Sequence, residues 1–181
     1  MLVPDPQLPA AMALAKELAP DQQFILVRLA PASWATEHAC VEVVDRLVSE
    51  EGGERILGWA FWIWPGVFLE AEFHAVWKKP GGELIDPTPR KRQLDAVLFL
   101  PDPRAVVDTW QKDNVRKALV HRREIQDFLQ IKERIFRAQN RGEEAHSKYF
   151  TPTPHLDFLH AEEQKITRKL IARFGHPPPL V

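Results

Sequence analysis

Cysteine occurs once in the 181 residues, tyrosine once and methionine twice. A single cysteine excludes an internal disulfide and any zinc site built on several cysteines. Its free thiol fits a reducing, cytoplasmic setting. Long apolar runs are also missing. No stretch approaches the roughly 18 consecutive apolar residues that signal a membrane-spanning helix, and residues 1–20 lack the basic start and apolar centre of a signal peptide. A membrane is therefore not an expected partner. Net charge is close to nil at −1, so no global field draws the chain to nucleic acid. The charge is uneven, with an acidic 1–51 and a basic 104–148. No nucleic-acid motif accompanies the basic stretch, and nucleic acid is not an expected partner either.

What remains is the content of a globular chain, 45% hydrophobic and 27% charged, long enough for one sizeable core. Residues 8–19 read as a short helix stopped by Pro20. Residues 23–30, with FILVRL at the centre, read as a strand. A second helix is expected over 39–50, where Cys40, Val44, Leu47 and Val48 share a face. Thr36 is its expected N-cap, which sets Cys40 near the first turn. From 55 to 86 the pattern changes to strands: 56–64, aromatic on both faces; 67–77, clearly alternating; and 83–86 after the turn Lys79-Pro80-Gly81-Gly82. A last strand covers 96–100. Residues 104–140, almost free of Gly and Pro, read as helix. So do 157–174, closed by Gly175 and a frayed His176-Pro177-Pro178-Pro179. The expected class is α+β: an antiparallel sheet with a packed N-terminal helix bearing the cysteine in a core domain of residues 1–103, then a helical extension over 104–181. Those C-terminal helices leave room for a homodimer.

The informative text is EAEFHAVWKKPGGELIDPTP, residues 70–89, taken with Cys40. A thiol is mostly protonated at neutral pH and needs help to act as a nucleophile. A helix N-terminus favours its anion, a histidine can exchange its proton, and a carboxylate can orient the ring. Cys40, His74 and Asp86 offer one residue for each role. A two-residue turn in the 67–86 hairpin sets Asp86 opposite Ala75, on the wrong face. A three-residue loop, Pro80-Gly81-Gly82, pairs Val76 with Asp86 and makes Asp86 the diagonal neighbour of His74. Such a loop wants a type I turn followed by a left-handed glycine, which Pro80 first and Gly82 last supply.

The run His74-Ala75-Val76-Trp77, a Gly-containing turn and Leu84-Ile85-Asp86-Pro87-Thr88-Pro89 resembles the transglutaminase-like branch of the papain-like cysteine enzymes. Residues 58–65 and 70–89 also resemble a GWAxWxWP…EAExHAVW…DxTP pattern of uncharacterised bacterial proteins. The resemblance covers residues 33–90. It implies a papain-like core with Cys40 as nucleophile, His74 as acid and base and Asp86 as orienter, catalysing acyl transfer or amide or ester hydrolysis on a peptide, amide or small-molecule acyl substrate, without a cofactor. Val41 stands where that pattern has Trp after the cysteine, and the sequence names no second oxyanion donor.

Around this trio, Glu70 and Glu72 share the face of His74 and are expected to line a pocket for a cationic or amide substrate. Trp62 and Trp64 share one face and suit an aromatic subsite. A zinc ion held by His38, Cys40, His74 and Asp86 matches no strong ligand spacing, and no metal is expected. The alternative to an enzyme is a binding module that keeps the fold, offers its Trp-rich face as a groove and docks partners through a basic helical face at Arg116, Lys117, Arg122 and Arg123.

Overall fold

The computed structural model describes residues 1–91 and 94–177. Pro178 and Pro179, read from sequence as part of a frayed end, lie outside the described residues. The elements run α1 (Pro9–Leu18), β1 (Ile25–Leu29), α2 (Cys40–Glu51), β2 (Glu54–Trp64), β3 (Phe68–Lys78), β4 (Leu84–Asp86), β5 (Ala96–Pro101), β6 (Val115–Ala118), α3 (Arg123–Gln139), a 3-10 turn (Gly142–His146) and α4 (Pro154–Phe174). The class is α+β.

The sheet is not open. β2 pairs with β3 and β5, β5 with β1, β1 with β4, and β4 with β3, which closes a five-stranded barrel. The β1–β4 pairing is parallel, the others antiparallel. Closure follows from length. β2 and β3 have 11 residues each and pair from Glu54↔Lys78 to Trp64↔Phe68, so each outer edge is long enough to take further strands. Where β2 crosses β5, Gly58 is required: a Cβ there would lie 2.2 Å from the Leu100 carbonyl oxygen.

The outer edge of β3 is shared. β4 pairs with its end, Trp77↔Ile85 and Lys78↔Leu84, and β6 with its start, from Phe68↔Ala118 to Ala71↔Val115. Among the described residues no strand pairs with the stretch between them on that side, so the sheet has a notch beside residues 72–75. β6 also corrects the expected helix over 104–140. The helical pattern holds only from Arg123; before it, Val115–Ala118 covers an edge that would otherwise present bare N–H and C=O groups. α4 likewise starts earlier than read, because Thr153 Oγ1 accepts the Leu156 N–H at 3.1 Å and Pro154 occupies the first turn.

Three apolar layers hold the barrel. Val27, Ala60, Val76, Val97 and Phe99 meet inside, with Phe128 of α3 and Leu170 of α4 joining the same cluster. Phe61, Leu69, Leu98 and Leu100 face outward onto Leu14 and Ala15 of α1. Ala75, Trp77 and Ile85 carry α2 through Val44 and Leu47. The 104–181 segment thus supplies one strand of the sheet and part of the central core. No helix among the described residues is long and apolar enough to cross a membrane.

Candidate active site

The hairpin that positions His74 and Asp86 has the register required by the three-residue loop. Gly82 N–H donates to the Lys79 carbonyl at 2.8 Å, Lys79 N–H to the Glu83 carbonyl at 2.9 Å, and Gly82 has φ of 88°. Continuing the Trp77↔Ile85 pairing sets Val76 opposite Asp86, diagonal to His74. The two side chains meet there: His74 Nε2 lies 2.9 Å from Asp86 Oδ2, and both are buried. The other carboxylate oxygen, Oδ1, accepts the Thr88 N–H at 2.9 Å. Asp86 is therefore a turn residue and a histidine partner at once, using a different oxygen for each.

Cys40 is the first residue of α2 and is half-buried. The expected Thr36 cap is not used. Ala39 occupies the cap position with no side-chain hydrogen bond, because the chain enters through His38 in the left-handed region, φ 63°. The first helical bond runs from Val43 N–H to the Ala39 carbonyl, so the amides of Cys40, Val41 and Glu42 have no intrahelical acceptor. A non-glycine residue in the left-handed region stores backbone strain, and here it stands two residues before the thiol.

Cys40 and His74 line one cavity of about 880 Å³, together with Glu70, Glu72, Trp62 and Trp64. Asp86 sits behind His74. All seven site residues read from the sequence thus fall at or directly behind this wall. The far wall comes from the 106–114 segment and from α3 and α4, including Trp110, Phe128, Lys132 and Thr167. The helices wall the site without burying the thiol.

Glu70 and Glu72, expected to line a pocket for a cationic or amide substrate, line the cavity with their carboxylates already paired. Arg116 Nε donates to Glu70 Oε1 at 2.7 Å and Asn114 to the same oxygen at 3.0 Å. Arg116 is for that reason no part of a basic helical face. Glu72 takes Arg90 at 2.9 Å and the Trp62 indole N–H at 2.7 Å. Two short elements force these pairings: β6 delivers Arg116, and the Pro87–Pro89 run delivers Arg90.

Arg90 is the side chain of this cluster that sequence reading missed. Its guanidinium lies 5.0 Å from the Trp62 ring centre, 3.5 Å from Asp86 Oδ2, and 3.2 and 3.5 Å from the two ring nitrogens of His74. Nε2 donates to the Asp86 carboxylate, so it has no lone pair for Arg90; that contact is one of charge beside the ring. The signal was present: Arg90 follows Asp86 by four residues across two prolines, which leave the segment little freedom.

Charge governs this cluster. Burial opposes a charged His74, but the Asp86 carboxylate, aided by Cys40 and partly offset by Arg90, holds its pKa up at about 10. Burial also opposes ionised Asp86, yet the His74 and Arg90 charges bring it down to about 2. Glu72 is lowered against its burial, chiefly by Arg90. Arg90 is raised against its own burial by Glu72 and Asp86. At neutral pH the four groups are imidazolium, guanidinium and two carboxylates. Among the described residues no group of three or more His, Cys, Asp or Glu is placed to hold a metal ion.

Comparison of the chain with known protein families, with curated proteins and with solved structures finds no match.

Proposed function

We infer that the chain is a cysteine-dependent enzyme of the transglutaminase-like kind, performing acyl transfer or amide or ester hydrolysis. The observation that carries this reading is the buried His74–Asp86 pair at 2.9 Å on the wall of the cavity that also receives Cys40.

Cys40 Sγ attacks the substrate carbonyl carbon as the thiolate, forming a C–S bond while the carbonyl electrons move onto oxygen. The Cys40 amide at the start of α2 is one donor for that oxyanion. Arg90, 3.2 and 3.5 Å from the ring nitrogens of His74, adds positive charge on the thiolate's side of the site. Nε2 of His74 is held by Asp86, so Nδ1 carries the mobile proton. It protonates the departing amine or alcohol as the tetrahedral species collapses to a thioester. Water or an acceptor nucleophile then attacks the thioester, returns a proton to His74 and frees Cys40.

Alkylation of Cys40 by iodoacetamide tests this without a substrate, since no other thiol is present. Near neutral pH the folded protein is expected to react at least about tenfold faster than the urea-unfolded chain, and His74→Ala is expected to remove the acceleration. A folded thiol no faster than the unfolded one, or a His74→Ala protein that reacts like the parent, would overturn the reading.

A further inference from the structure

Most cations on the cavity wall already have acidic partners. Arg90 is engaged by Glu72 at 2.9 Å and lies 3.5 Å from Asp86, which also holds His74. Arg116 is engaged by Glu70 at 2.7 Å and Asp113 at 3.0 Å. Lys132 has Glu163 at 3.0 Å, and Lys112 has Asp108 at 3.7 Å. Six cationic side chains line the cavity, His74 as imidazolium and Lys91 among them, against seven carboxylates. Lys91 is exposed and the other cations are engaged, so an entering carboxylate would have to displace an existing ion pair at a site where leaving water is costly for an ion.

The remaining wall is apolar and short of acceptors. Trp64, Phe68, Phe128 and Ile135 line it. Three buried polar atoms on lining residues have no hydrogen-bond partner among the described residues: Trp64 Nε1, Thr88 Oγ1 and Arg90 Nε. Their side chains are nine-tenths or more buried. Two of the three are donors only and the third can donate, so each can serve an acceptor oxygen of a ligand. The cost of bringing an ion into this wall, and not the donors, favours a neutral carbonyl over a carboxylate.

From the charge pattern, the aromatic wall and these unmatched donors together, we propose that the cavity takes an uncharged amide or ester bearing an aromatic or aliphatic acyl group and rejects the corresponding free acid. The carbonyl end lies toward Cys40, Thr88 and Arg90, and the acyl chain runs along Phe68 and Phe128. Placing the carbonyl at Cys40 rests on the acyl chemistry proposed above. Its consequence is directional: hydrolysis would turn a ligand that fits into a carboxylate that does not, and the acid would leave.

Three probes of one shape test this on the Cys40→Ala protein, which binds without turnover: 4-phenylbutanamide, 4-phenylbutanoate and 4-phenylbutylamine, followed by calorimetry and tryptophan fluorescence at neutral pH. The amide is expected to bind at least about tenfold tighter than the acid. Thr88→Val is expected to weaken the amide by about tenfold without lowering the unfolding midpoint, since it removes a buried hydroxyl that the free protein leaves unmatched. Gln139→Trp, at a half-buried position of α3 on the cavity wall, narrows the space and is expected to weaken the amide as well. The proposal is overturned if no probe binds, if acid or amine binds as tightly as the amide, or if both variants bind the amide like the parent. An accelerated Cys40 alkylation with no preference between amide and acid would refute this proposal alone. Amide selectivity with an unaccelerated thiol would refute the enzyme and leave a binding site.

Discussion

His74 Nε2 and Asp86 Oδ2 lie 2.9 Å apart with side-chain exposures of 1% and 0%. Neither group has bulk water to compensate its charge, so each depends on the other. Removing one partner from a buried pair is far more damaging than the net worth of the pair, because the survivor is left uncompensated.

Asp86→Asn preserves the shape and removes the charge. The variant is expected to lose about 3 kcal/mol of stability in urea denaturation, and its Cys40 alkylation near neutral pH should fall to the rate of the unfolded thiol. Parental stability would show that the pair is not sealed from water.

The same pair sets a pH window. Asp86 is held at about 2 against an ordinary 3.8, so its contribution is complete above the ordinary value and is lost as pH falls through about 2. His74 is held at about 10 against an ordinary 6.5, so its contribution is complete below 6.5 and is lost as pH rises through about 10. The stability difference between the parent and the double variant His74→Gln, Asp86→Asn should therefore be greatest between those ordinary values and shrink on both sides. A difference that grows from neutral pH into the alkaline range would contradict the assignment.

The close approach of β2 to β5 has its own test at Gly58. Alanine there places a Cβ 2.2 Å from the Leu100 carbonyl oxygen, a backbone atom, so β2 and β5 must part. Gly58→Ala is expected to cost about 3 kcal/mol in chemical denaturation. A cost near zero would mean that β2 and β5 do not approach this closely.

Phe128 of α3 and Leu170 of α4 share a cluster with Val27, Val76 and Phe99 of the barrel. Phe128→Ala and Leu170→Ala are each expected to destabilise the whole chain by about 3 kcal/mol, in one cooperative transition. A chain ended after Pro103 should show no cooperative unfolding. A sharp transition in that fragment would mean that residues 1–103 form an independent domain.

The parts of the site that were legible before folding are those fixed by local chemistry. Pro80 and Gly82 select the loop, the loop selects the register, and the register puts Asp86 beside His74. The 67–77 alternation put Glu70, Glu72 and His74 on one face for the same short-range reason. Arg90 was not legible in this way, although it lies next to the motif, because its partners Glu72 and Trp62 stand on strands distant in sequence. The 104–122 stretch misled because scarcity of Gly and Pro permits a helix without requiring one, and the open edge of β3 took Val115–Ala118 as a strand instead.

By itself the sequence determined the alternation of the strands, the turn at Lys79–Gly82, the cysteine at a helix start and the order of Cys40, His74 and Asp86. Each of these depends on backbone preferences and neighbours within a few residues. Only the tertiary structure decided that the sheet closes, that Glu70 and Glu72 are neutralised by Arg116 and Arg90, and that α3 and α4 wall the cavity. Those outcomes depend on pairings between residues far apart in the chain, where the gain from burying apolar surface and matching charge outweighs local propensity.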